Sequence, residues 1–189
     1  MQIDRTCREM MRLIQNLLEI SRIEEGKMPV VRESVSLAEL ADEIVEEYAA
    51  VAEQGQRAVR TDVRRDLPQA LADRWLLRRV LTNLVVNAIR HSGSRDVQVD
   101  AATGPEPGEI TLRVTDFGRG IALEDQALIF EKFRSTRRSA IEEPADDTGL
   151  GLAFCKLAVE RMGGRLALTS RPGETVFAVT LPAQGATAS

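Results

Sequence analysis

Apolar residues recur at helical spacing in four stretches of this chain, and between them lie short runs in which apolar and polar residues alternate. Ile3, Cys7, Met10, Ile14, Leu17 and Ser21 follow one another at intervals of four and three, with Met11, Leu13 and Leu18 widening the seam. The spacing predicts a long amphipathic helix that breaks near Gly26 and runs into an extended connector at Pro29. Ser36 and Glu39 form a capping box for a second helix, whose buried face is Leu37, Leu40, Ile44, Tyr48 and Val51 and whose end is Gly55. Residues 57–63 and 69–72 read as short strands around Asp66, Leu67 and Pro68. Asp73 is an N-cap for a long third helix with Leu81, Leu84, Val85 and Ala88 on its apolar seam. Val97 to Ala101 and Ile110 to Asp116 alternate as a hairpin joined through Gly104 to Gly108. A charged, irregular segment covers residues 122–147, broken by Ile129, Phe130 and Phe133. A fourth helix starts at Thr148 to Leu152, runs through Met162 and stops at Gly163 and Gly164. Residues 165–170 and 175–181 form a last hairpin about Pro172 and Gly173.

Composition narrows the function classes. The chain has 189 residues, enough for one well-cored domain with an appendage. A net charge of −4 with no extended basic run disfavours a nucleic-acid or anionic-membrane partner. No apolar run approaches the roughly 20 residues of a membrane span, and the expected location is cytoplasmic. Cys7 and Cys155 both sit in apolar helical patterns and read as small buried hydrophobes; with one histidine they make no zinc site.

Candidate chemistry lies on the third and fourth helices and on the turn after Asp116. Asn83 and Asn87 stand one helical turn apart beside the apolar seam, followed by Arg90 and His91. Two such amides are poor packing groups, since a buried unpaired amide costs about 1–3 kcal/mol. Asp116 closes a strand and is followed at once by Gly118, Gly120 and Ile121, so a carboxylate meets a chain free to turn against a ligand. Thr148, Gly149, Leu150, Gly151 and Leu152 lead into a helix whose first N–H groups favour an anion. Lys132, Arg134, Arg137 and Arg138 are cations suited to phosphate or to solvent.

In this order the pieces resemble the nucleotide-binding boxes of the two-component sensor histidine kinases, relatives of the gyrase-like, heat-shock-chaperone and mismatch-repair ATPases. Asn83 to Ser92 matches the N box, Asp116 to Ile121 the first glycine box, Phe130 to Phe133 the phenylalanine box and Thr148 to Leu152 the second glycine box. The likeness spans about residues 36–182, and residues 3–26 look like the second helix of the family's dimerisation hairpin. The resemblance implies an α+β fold, a two-layer sandwich of a mixed sheet covered by helices on one face and preceded by one long amphipathic helix. It implies two units, residues 1–30 from the hairpin and 31–189 as the ATP-binding catalytic domain. By the same resemblance Asn87, helped by Asn83, holds Mg²⁺ on the ATP phosphates, and Arg90 reaches a phosphate while His91 lies against the nucleotide. Asp116 reads the adenine amino group in a pocket shaped by Gly118 and Gly120. The segment from about 122 to 148 is a lid, with Phe133 in its aromatic box and Lys132 or Arg134 meeting the γ-phosphate. Gly149 and Gly151 present main-chain N–H groups.

One position separates kinase from hydrolase. In the superfamily's hydrolases, and in anti-sigma-factor serine kinases, a glutamate stands where this chain has Asn83, and an asparagine cannot act as a general base. The implied activity is transfer of the γ-phosphoryl group to a histidine, for relay to a response-regulator aspartate. The family's phosphoacceptor histidine is missing, because His91 lies inside the N box. The expectation is a piece of a longer kinase, acting on the acceptor helix that would complete its hairpin, with a possible homodimer through residues 3–21. Asp147 stands where the second glycine box often has glycine, and the turn from Ser170 to Thr175 is shorter than usual. A non-catalytic nucleotide-binding module that signals by conformation is the alternative.

Overall fold

A computed structural model of the chain describes residue 14 and residues 16–93, 95–133 and 149–185. The seam positions Ile3, Cys7, Met10, Met11 and Leu13, and also Arg134, Arg137, Arg138, Asp147 and Thr148, lie outside the described residues. A helix at residues 16–24 (α1) leads into β1 (Glu33–Val35), α2 (Leu37–Gln54), β2 (Val59–Asp62), β3 (Ala70–Ala72) and α3 (Arg74–His91). Then come β4 (Val97–Thr103), β5 (Glu109–Asp116), the short α4 (Leu123–Gln126), α5 (Gly151–Arg161), β6 (Arg165–Arg171) and β7 (Glu174–Pro182).

The five-stranded sheet has the order β2-β4-β5-β7-β6, parallel between β2 and β4 and antiparallel elsewhere. Its alternation places Val97, Val99, Ile110, Leu112, Val114, Phe177, Val179 and Leu181 on one buried face, against α2, α3 and α5. Gln98 and Arg113 point to the opposite, solvated face, as expected for a sheet covered on one side. Parallel pairing of β2 with β4 needs a long connection, and α3 lies within it.

Both designated caps form. The Ser36 hydroxyl accepts from the Glu39 N–H at 3.3 Å, and Asp73 Oδ1 accepts from the Leu76 N–H at 3.0 Å. Asp73 Oδ2 also accepts from the Val31 N–H at 3.0 Å, so one side chain caps α3 and pins the connector. The connector holds a strand the pattern did not announce, because β1 pairs with β3 in a separate two-stranded sheet. The strands read on either side of Pro68 thus belong to different sheets. On α2, Val51 is 51% exposed and Ala52 takes the last core position, its small side chain letting the helix end close on β2.

Helix α1 docks by a different stripe from its heptad seam. Ile20 and Ile23 join the domain core, while Ile14 and Leu17 stay about half exposed. Arg79 of α3 forms an ion pair with Glu19 and donates to Asn16 Oδ1 at 2.6 Å. Its guanidinium also lies 5.5 Å from the Trp75 ring centre and 4.5 Å from that of Phe154 on α5. No helix among the described residues is long and apolar enough to cross a membrane.

Candidate functional site

At one end of the sheet β5 finishes on Asp116, whose side chain is on the helix-covered face and only 3% exposed. Cross-strand register sets Asp116 opposite Thr175, also 3% exposed, so a carboxylate and a hydroxyl share one buried corner. Burial raises the Asp116 carboxyl to a pKa of about 6, against the N–H of Gly118, which donates to Oδ1 at 3.0 Å and pulls it back down. Here the chain passes so close to the end of α3 that a Cβ on Gly118 would lie 1.9 Å from the His91 carbonyl oxygen. Gly120 then takes φ +78°, and a Cβ there would meet the Arg171 carbonyl oxygen at 2.3 Å. The turn is locked from the last hairpin. Ser170 Oγ accepts from the Ile121 N–H at 2.9 Å, and Gln126 Nε2 donates to the carbonyls of Ile121 and Ser170 at 2.9 and 3.0 Å.

The second part of the site is the seam between α3 and α5. Leu81, Leu84, Val85 and Ala88 are buried, which leaves Asn83 and Asn87 half-buried on the adjoining stripe. A Cβ on Gly151 would stand 3.8 Å from Asn83 Cγ, so the first residue of α5 faces the first amide of α3 across ordinary contact distance. Behind them Cys155 is fully buried with its thiol on the Val80 carbonyl oxygen at 3.7 Å, and burial pushes that thiol up to about 12, an inert group. Helix α5 differs from α2 and α3 at its start: Leu150 supplies no side-chain cap, whereas Ser36 and Asp73 do. Its N-cap residue therefore gives the first turn no side-chain acceptor of the kind that Ser36 and Asp73 provide.

The third part joins the phenylalanine box to the glycine loop. Phe133, at φ +61° and 64% exposed, donates its N–H to the Gly149 carbonyl at 3.0 Å. Phe130 packs edge-on to Phe177, ring centres 6.4 Å apart. Lys132, one residue from Phe133, forms an ion pair with Glu24 of α1. Of the residues singled out, Leu150 turns its side chain wholly into the core, so what it offers a ligand is main chain. Arg90, His91 and Leu152 are half-buried along the same two helices. Arg134 and Thr148 lie outside the described residues.

Among the described residues no group of three or more His, Cys, Asp or Glu side chains could hold a metal ion. The oxygens at hand are the amides of Asn83 and Asn87. That donor set fits a hard cation that arrives with phosphate oxygens and water, as Mg²⁺ does, and does not make a closed protein cage.

The sequence pattern did not mark Thr175, Ser170 or Gln126. Each is an ordinary polar residue in its own neighbourhood, and only strand register brings Thr175 to Asp116.

Comparison with known proteins agrees with this geometry. The profile described as "Histidine kinase-, DNA gyrase B-, and HSP90-like ATPase" matches residues 72–185. The adaptive-response sensory kinase SasA of Synechocystis sp. is 31% identical over 173 residues, covering 90% of this chain and 44% of that protein. This chain therefore spans less than half the length of that relative. Among solved structures, full-length ShkA in complex with AMPPNP superposes with a TM-score of 0.82 at 26% identity, over 95% of this chain and 37% of that one. The mycobacterial sensor histidine kinase MprB gives a TM-score of 0.68 at 27% identity, over 81% of this chain and 98% of that one. With a family match across more than half its length, and the amide helix, acidic corner and glycine-led helix meeting at one end of the sheet, the chain belongs to the histidine kinase-, DNA gyrase B- and HSP90-like ATPase family.

Proposed function

We propose that this chain is the nucleotide-binding catalytic part of a two-component sensor histidine kinase, holding Mg-ATP and delivering its γ-phosphoryl group to a histidine of an acceptor helix. The observation that carries the reading is the approach of Asn83 to Gly151, which joins the amide helix and the glycine-led helix in one seam. Buried Asp116 is the acceptor for the adenine amino group, through the oxygen that does not take the Gly118 N–H. Main-chain N–H groups at Gly149 to Leu152 receive the phosphates, with Arg90 and Lys132 adding positive charge and His91 against the nucleotide. Asn87 and Asn83 would hold Mg²⁺ by their amide oxygens; bound there, the ion neutralises phosphate charge and orients the γ-phosphoryl group.

An amide at residue 83 takes no proton, so the site does not activate water. A neutral imidazole nitrogen of the acceptor attacks γ-phosphorus, the bond to the bridging oxygen of ADP breaks, and the imidazole proton passes to solvent. His91 is assigned to the nucleotide and not to that acceptor role, because it ends α3 within the stretch Asn83 to Ser92 that forms the pocket wall. Residues 1–30 are assigned to the dimerisation hairpin, residues 31–189 to the catalytic domain, and a response-regulator receiver is the onward partner.

The test combines calorimetry with transfer. The chain is expected to bind AMPPNP when Mg²⁺ is present, and Asn87→Ala to lose at least tenfold of that affinity while keeping its fold by circular dichroism. With labelled ATP and a separate acceptor-helix segment, acid-labile phosphohistidine is the expected product. Binding without transfer would make the chain a nucleotide-sensing module instead. Absence of binding would end the assignment.

A further inference from the structure

Lys132 stands one residue before Phe133, whose N–H is bonded to the Gly149 carbonyl, so its main chain is anchored beside the start of the glycine loop. Its partner is nevertheless Glu24, near the end of α1 and more than a hundred residues earlier in the chain. Both side chains are well exposed, at 37% and 43%. An ion pair in that setting is weak and readily exchanged. The rest of α1 is held independently, by buried Ile20 and Ile23 and by Arg79, which ties Glu19 and Asn16 to Trp75 and Phe154. One cation whose main chain adjoins the glycine loop is thus already paired with a carboxylate from the docked helix.

We propose that Glu24 and the γ-phosphate of bound ATP compete for Lys132, so that ATP, and not ADP, loosens the end of α1 from the catalytic domain. The step rests on the nucleotide-site reading above. ADP lacks the terminal phosphate and leaves the Glu24 pair intact, whereas the γ-phosphate offers more charge than one carboxylate. Coupling of this kind is reciprocal. If the docked helix lowers ATP affinity by some factor, ATP lowers docking by the same factor. The loss of an exposed pair corresponds to a factor of about two to five. The end of α1 around Glu24 would thereby report whether the pocket holds a triphosphate or a diphosphate.

The experiment measures AMPPNP and ADP affinity by calorimetry, with Mg²⁺, for the unsubstituted chain, Glu24→Gln and Glu25→Gln. Glu25 is the control: the same charge change one residue on, where the partner is Lys27. The expected result is a two- to fivefold gain for AMPPNP in Glu24→Gln alone, with ADP unchanged and no gain in a Lys132→Ala background. In the unsubstituted chain, amide hydrogen exchange at the end of α1, across residues 24–27, should rise with AMPPNP and stay level with ADP. Equal gains for both nucleotides, a matching gain in Glu25→Gln, or an exchange pattern indifferent to the γ-phosphate would overturn the competition while leaving the nucleotide site standing. Failure of the unsubstituted chain to bind either nucleotide would reject the site itself and the competition with it.

Discussion

Asp116 carries an ordinary acid into an apolar corner, and its charge there is both a cost and a tool. Its carboxyl titrates near 6 because burial penalises the ionised form. In the unfolded chain it titrates near 3.8, so between about pH 4 and 6 the folded state binds more protons than the unfolded one. The contribution of this group to stability therefore falls as pH rises through that window, opposite to the effect of carboxylates such as Asp96, which Arg60 holds below the usual range. Asp116→Asn should remove that loss, and above pH 7 the variant should be more stable than the parent by on the order of 1–2 kcal/mol after allowance for screening. Denaturant melts of both proteins at pH 4.5 and pH 8 measure the difference. The adenine contact proposed for Asp116 runs the other way, since the ionised carboxylate is much the stronger acceptor for the amino group. Nucleotide affinity should be level above pH 7 and fall as pH drops through 6, and a profile unchanged down to pH 5 would remove Asp116 from the adenine contact. The acid at the strand end was legible in the sequence because glycines follow it at once. Thr175 and Ser170 were not, because their roles come from register and a turn nearly fifty residues or more away.

Among the elements, the three long helices were legible because each combines an apolar period with a start signal, and the structure differs mainly where local pattern carries no partner information. A three-residue strand such as β1 has too little alternation to be distinguished from extended connector, and only its pairing with Glu33↔Ala72, Ser34↔Leu71 and Val35↔Ala70 defines it. The docking stripe of α1 was hidden for a related reason. The Ile14 and Leu17 seam reads as the buried face, yet Ile20 and Ile23 are what the domain covers. Asp73 shows how one cap can serve two elements, since its two oxygens receive the N–H groups of Leu76 on α3 and Val31 in the connector. Asp73→Ala should cost about 2 kcal/mol, the upper part of the range for losing an N-cap, whereas Ser36→Ala, which loses a single longer bond, should cost about 1 kcal/mol. Chemical denaturation of the two variants side by side checks the ranking. Equal losses would mean that the Val31 bond contributes nothing.

Across the whole molecule the sheet has two unlike ends, and two glycines show how they differ. Asp116 and Thr175 close one end of the β5–β7 ladder; five residues along β7, roughly 16 Å away, Thr180 lies near the other. Gly118 packs its backbone against α3 at the first end, and Gly164 packs against β7 at the second, where a Cβ would stand 2.3 Å from the Thr180 carbonyl oxygen. Neither position needs a positive φ, so the obstacle to a methyl group is contact with backbone that cannot swing aside. Alanine at either site should therefore destabilise by a similar amount, about 1–3 kcal/mol, as overpacking does. Only Gly118→Ala moves the turn that holds Asp116 against the end of α3. In protein kept folded at low temperature, Gly118→Ala should lose more than tenfold in AMPPNP affinity, while Gly164→Ala should bind like the parent despite melting earlier. If the two variants lost affinity in step with their melting temperatures, nucleotide binding would follow global stability instead of the Asp116 end of the sheet.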